Sequence, residues 1–215
     1  MGHGLATLAR GGLCCLAFGG TAQARPVSYP DGWTLMLRND RFDNSLHAHY
    51  TPDLRHSVGA RLRYDRERDF LFAGPQLNRL FKRWNRSESQ ANWYGRVAVG
   101  GAFDEGGPRG DDAALFVGTS IDWETRRWFT EAAVEYWDAG LYGDWSVWHG
   151  RLGVAPYVAN TGALHTWFMV ELHNRPEDPE PDGITGLVRL FKGETLLELG
   201  VDDRGEAMVN LVQRF

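Results

Sequence analysis

The sequence predicts an all-β fold, an antiparallel transmembrane β-barrel of about twelve strands. Three observations carry that prediction. Apolar residues alternate with polar ones through much of the chain, the period of two that a strand with unlike faces requires. Turn-formers interrupt the alternation at short intervals, and no apolar run approaches the roughly 20 residues a spanning helix needs. The nine tryptophans fall mostly at the ends of alternating segments, where the two interfaces of a bilayer hold them.

At the start, residues 1–24 ("MGHGLATLARGGLCCLAFGGTAQA") carry one arginine, Arg10, an apolar run around Leu13 to Phe18, and the triplet Ala22-Gln23-Ala24. This reads as a secretory signal peptide cut before Arg25, leaving residues 25–215 as the barrel domain. Both cysteines, Cys14 and Cys15, leave with the leader, so disulfide and thiol chemistry are excluded from the mature chain. The leader removes one of the 23 basic residues and none of the 28 acidic ones. An acidic balance of this kind argues against a nucleic-acid partner, which needs a basic patch. A mean hydropathy of −0.40 excludes a bundle of membrane helices; it leaves room for a barrel, whose lipid signal is spread over alternate residues.

After the Pro/Gly-rich stretch "RPVSYPDG", strands are expected to begin near Gly32, Asn44, His56, Phe70, Gln90, Asp112, Trp128, Trp145, His165, Thr185, Glu194 and Glu206, in segments of about 8–13 residues. The second holds "SLHAHYT", with Leu46, Ala48 and Tyr50 toward lipid and His47 and His49 toward the lumen. The third, "HSVGARLRYD", sets Val58, Ala60, Leu62 and Tyr64 against Arg61, Arg63 and Asp65. In the fourth, "LNRLFKRW" places Leu77, Leu80, Phe81 and Trp84 at helical spacing. A helix there would leave eleven strands and put the chain ends on opposite sides, so a bulged strand is expected. The seventh, "FTEAAVEYWD", sets Trp128, Thr130, Ala132, Val134 and Tyr136 against Glu131 and Glu135. In the ninth, "LHTWFMVELH", His165, Trp167, Met169, Glu171 and His173 share a face. The twelfth alternates Ala207, Val209 and Leu211, then reaches Gln213 and Phe215.

The connections sort by length. "TPDLR", "NRSES", "ANTG" and "KG" read as tight turns on the periplasmic side, and "DEGGPRGDD" and "NRPEDPEPDG" as long outer loops. Trp84/Trp93 and Trp123/Trp128 then flank inner turns, while Trp137/Trp145 flank an outer loop, as two girdles.

Together the leader, the twelve segments, the aromatic ends and the terminal "VQRF" resemble the β-barrel outer-membrane proteins of Gram-negative bacteria. The stretches "GWTLMLRNDRFDNSLHAHY", "LFKRWNRSESQANWY", "GVAPYVANTGALHTWFMVEL" and "LVRLFKGETLLELGV" are similar to a group of small proteobacterial outer-membrane proteins with no assigned activity. The resemblance spans residues 30–215 and implies an outer-membrane location, surrounding lipid and lipopolysaccharide, and delivery by the barrel-assembly machinery. Phe215 is the expected assembly signal, although Gln213 departs from the apolar or aromatic residue usual at its position.

The chemistry expected is that of a narrow or plugged pore, or a structural or binding barrel, with lumen candidates His47, His49, Arg61, Arg63, Glu131, Glu135 and His165. No cofactor is required. A soft or borderline divalent metal could be held by His47 and His49 with Met36, imidazole and thioether suiting copper; a hydrogen-bonded polar lining is the plainer reading. The rival class is a soluble periplasmic β-sandwich or barrel binding a small ligand or metal through His47 and His49. A lipid-modifying enzyme is disfavoured. His49 and Thr51 lack the serine such a site uses, and His56 and Ser57, as strand neighbours, point to opposite faces.

Overall fold

The computed structural model describes residues 26–104 and 106–215, so the leader lies outside the described residues. Twelve strands form one closed antiparallel barrel: β1 (Gly32–Asn39), β2 (Asp43–Thr51), β3 (His56–Asp65), β4 (Phe70–Asn85), β5 (Ser89–Phe103), β6 (Asp112–Thr125), β7 (Trp128–Asp138), β8 (Asp144–Val154), β9 (His165–Asn174), β10 (Asp182–Lys192), β11 (Thr195–Asp202) and β12 (Ala207–Arg214). Each strand pairs with its sequence neighbours, and β1 pairs with β12 from Thr34↔Arg214 to Asn39↔Val209. Trp33 and Phe215 extend that seam by exchanging backbone hydrogen bonds of 3.2 and 2.9 Å. Closure leaves no strand edge with unpaired amides, which lipid cannot satisfy.

Every strand begins within three residues of its expected position, but their extents differ. β4 runs for 16 residues, β5 for 15 and β6 for 14, beyond the expected segment length. The eighth connection, expected to be tight, spans residues 155–164 and is among the longest. Pro156 removes a ladder donor at its start, so the strand cannot run on to the "ANTG" turn. The shortest connections are 126–127 and 193–194; in the latter Gly193 takes a φ of 60°, the left-handed conformation a two-residue hairpin favours.

The helical spacing in "LNRLFKRW" resolves into a bulge. Leu80 pairs with Tyr94 but Lys82 with Trp93, leaving Phe81 as the extra residue. Before it, Gln76, Asn78 and Leu80 are buried inside while Leu77 faces out; after it, Trp84 faces out and Arg83 turns inward to bond Asn92 at 2.6 Å. One inserted residue inverts the alternation. Phe81 itself lies over Gly95, where an added Cβ would sit 2.4 Å from the ring.

The outer wall is apolar. Val58, Leu62, Val97, Val117, Ile121, Leu152, Phe168, Val170, Leu172 and Leu199 are all exposed there. Trp33, Trp84, Trp93, Trp123 and Trp128 lie on this wall near the chain-end rim, and Trp148 lies nearer the other. Trp137 and Trp145 do not join a girdle: both are fully buried within the lumen, stacked at 5.8 Å with 5° between their planes. Their parity is that of Glu131 and Glu135, which fixes them inside.

Candidate functional site

Among the described residues, polar chemistry concentrates in the lumen, which is built in three tiers. At the chain-end mouth, residues 26–28 tuck inside the barrel. Val27 is buried against the inward-facing Leu80 and Tyr94, Ser57 Oγ donates to the Pro26 carbonyl at 2.5 Å, and the Ser28 amide donates to Thr51 Oγ1 at 3.4 Å. Asn78 Nδ2 donates to Ser57 Oγ (2.8 Å), Gln76 Nε2 to Asn78 Oδ1 (2.6 Å) and Arg61 Nη1 to Gln76 Oε1 (3.4 Å), a chain from the mid-lumen to this cap.

The middle tier is charged. Arg151 bonds Glu171 and lies 3.3 Å from Glu198, which also accepts from Arg189 (2.6 Å) and Asn210 (2.7 Å). Arg38 joins Glu171 at 3.0 Å and Asp40 at 2.6 Å. Across the lumen, Arg96 pairs with Glu135 at 3.1 Å. The far tier combines ion pairs with aromatic rings. Arg63 holds Asp43 and Asp65 at 3.1 and 3.0 Å, and the fully buried Arg175 bonds Asp65 and Asp178 at 2.9 and 2.7 Å. Arg63 sits 4.5 Å over Trp137, Arg68 4.0 Å over Trp145, and Arg61 4.6 Å over Phe116. Guanidinium groups are suited to this double duty because they bond in plane and stack by face.

Between the tiers remains a cavity of about 170 Å³, lined among others by Met36, His47, Arg61, Arg63, Glu131 and Glu135. Most of the sequence-derived candidates therefore share one space. His49 is fully buried with its ring 4.7 Å from that of His47, and Met36 stands in register with His47. His165 is not brought to the cavity; it lies at the start of β9 with its ring 5.9 Å from that of Phe191. Among the described residues, no group of three or more His, Cys, Asp or Glu is placed to hold a metal ion. Nor do the His/Ser candidates combine: His56 pairs with Asp53 at 2.9 Å, while Ser57 is committed to Pro26. Arg38, Arg96, His149, Arg151, Arg189 and Glu198 were not among the candidates. Their signal was the same alternation, a charge at an inward position between apolar outward ones, as in Arg189 between Val188 and Leu190.

No family model and no curated protein sequence matches the chain. Solved structures similar to it at low identity include the following three. A KdgM porin in complex with disordered oligogalacturonate aligns with 6% identity over 86% of this chain and 98% of its own, at a TM-score of 0.48. A KdgM porin aligns with 7% identity over 86% and 98%, at 0.47. A loop L8 deletion mutant of OmpT, an outer membrane protein of Vibrio cholerae, aligns with 8% identity over 86% and 99%, at 0.29. On its own geometry this chain is a closed twelve-strand antiparallel β-barrel with an apolar outer wall and an ion-paired lumen.

Proposed function

We propose that the protein is an outer-membrane β-barrel of porin-like build whose filled lumen holds or slowly passes a small polar solute, and is not a wide aqueous pore. The observation that carries this reading is the inversion of polarity. Apolar side chains cover the outside, while ion pairs, imidazoles and a cavity of about 170 Å³ occupy the inside. A soluble barrel would leave that outer wall in water, far beyond the apolar patch a soluble monomer exposes. In a bilayer the wall meets lipid, with its aromatic residues at the interface. Residues 1–24 serve in this reading as the export leader, and outer-membrane lipid and lipopolysaccharide surround the wall. The filling of the lumen agrees with size, since roughly 16–18 strands are needed for an open channel and about eight are just filled.

Cell fractionation with gel mobility of boiled and unboiled samples tests the location, and planar-bilayer recording tests the lumen. The expected result is an outer-membrane protein of heat-modifiable mobility with conductance well below that of a general porin. Recovery in the soluble periplasm would overturn the membrane reading; a large, permanently open conductance would overturn the filled lumen.

A further inference from the structure

Eleven charged side chains line the lumen cavity, and nine of them are ion-paired among the described residues. The two exceptions are Arg61 and Glu131. Arg61 has one long hydrogen bond, to Gln76 at 3.4 Å; the nearby Glu135 is held by Arg96, and the Arg61 Nε is buried without a partner. Glu131 stands in register with Arg151, but that guanidinium bonds Glu171 and Glu198 instead, and no hydrogen bond reaches the Glu131 carboxylate among the described residues. Around a cavity whose other charges are neutralised pair by pair, one cation on β3 and one anion on β7 face the same small space.

Arg61 and Glu131 are half-buried in the lumen, where an uncompensated charge still costs free energy that an opposite charge recovers. A single ion would satisfy one of these groups and leave the other. We infer that the cavity is a binding site for a small zwitterion, an α-amino acid with a short side chain being the chemical class that fits. Its carboxylate meets Arg61, whose planar fork matches two oxygens, and its ammonium meets Glu131. Met36, Val147 and Val212 on the same lining give a short aliphatic side chain an apolar surface. The volume agrees: about 170 Å³ is the space of about six waters at roughly 30 Å³ each, enough for a molecule of about that many non-hydrogen atoms. The inference rests on the proposed reading of the lumen as a chamber for a small solute.

The test is calorimetry of the full-length mature protein, purified in detergent, with glycine and L-alanine as probes and acetate and methylammonium as one-charge controls. Saturable binding of glycine or alanine at least tenfold tighter than either control is expected. Arg61→Gln and Glu131→Gln should each weaken alanine binding by about tenfold or more, while Arg61→Lys loses less because the charge remains. Neither Gln variant breaks an ion pair, and heat-modifiable mobility reports whether each folds; should Arg61→Gln fail to fold, the Arg61→Lys and Glu131→Gln measurements decide. Alanine binding unchanged in Glu131→Gln, acetate binding as tightly as glycine, or no binding to a properly folded barrel would each overturn the proposal. The last result would leave the outer-membrane reading intact, whereas recovery from the soluble periplasm would sink that reading without touching the zwitterion site.

Discussion

Arg151 illustrates how single residues hold the lumen together. Its guanidinium joins Glu171 on β9 to Glu198 on β11, so three strands share one cation. Arg151→Met leaves both carboxylates short of a partner, and breaking buried pairs of this kind costs about 3–5 kcal/mol. Urea unfolding in lipid vesicles should show that loss; Arg151→Met with unchanged stability would mean the network contributes little. Asp104, in the β5–β6 loop, works by hydrogen bonding: its carboxylate accepts from the amides of Gly107, Arg109 and Gly110 at 2.8, 2.8 and 3.2 Å. Desolvation pushes its pKa up, but those amides outweigh it and hold the carboxyl below the usual 3.8. Because the folded value is the lower one, the contribution is complete above the unfolded pKa and is lost as pH falls through the folded value. The loop should therefore resist proteases unchanged from about pH 8 to about pH 5, both above the unfolded value, and Asp104→Ala should increase cleavage between Gly106 and Asp111 across that range. At this scale the sequence was legible wherever parity was followed. His47, His49, Arg61 and Glu131 were placed by counting alternate residues, while Trp137 and Trp145 were misplaced because their position near a loop was weighed above their parity.

At the scale of the element, the face of a strand is its identity. Val134 lies on the outer wall between Ala132 and Tyr136, and Glu135 beside it bonds Arg96 inside. Val134→Arg sets a cation in hydrocarbon at about 2–4 kcal/mol, and refolding yield into liposomes should drop sharply. A polar exchange on the inward face is gentler. Asn210→Ser keeps a hydrogen-bond donor on the side of β12 that meets Glu198 and should refold at near wild-type yield. Equal yields for the two variants would show that the outer wall does not meet lipid. β4 tests the same rule by length. Deleting Phe81 would remove only the extra residue, keeping Leu80 opposite Tyr94 and Lys82 opposite Trp93 with Arg83 inward and Trp84 outward, so the barrel should still assemble, whereas deleting Lys82 as well would turn Arg83 outward and Trp84 inward and should block assembly. The bulge was legible as a conflict, since helical spacing inside a strand requires an inserted residue. Its position was not: Gly74 and Pro75 in the same strand are residue types common at bulges, yet no register shift falls there, because their missing side chain and donor are absorbed by the ladder without an extra residue.

For the molecule as a whole, closure is the feature on which the others depend. Phe215 and Trp33 exchange backbone hydrogen bonds at the β1–β12 seam, so deleting Phe215 should lower the amount of assembled barrel in the outer membrane; normal levels would show that the seam tolerates the loss. The barrel was legible because a period of two, turn spacing and even strand count agree on one architecture. The residue 26–28 cap was not, since a Pro/Gly-rich stretch carries no periodicity to say which side of the wall it will occupy. That cap has a kinetic meaning. A chamber that reaches Pro26 at one mouth and Arg175 at the other, with Val27 packed on Leu80 and Tyr94 beside the first and Trp137 and Trp145 buried beside the second, fills and empties past those side chains, so Val27 bears on the rate of exchange and not on the chamber's grip. Val27→Gly should therefore shorten filling and emptying times by the same factor, leaving their ratio, and with it the affinity, where it was.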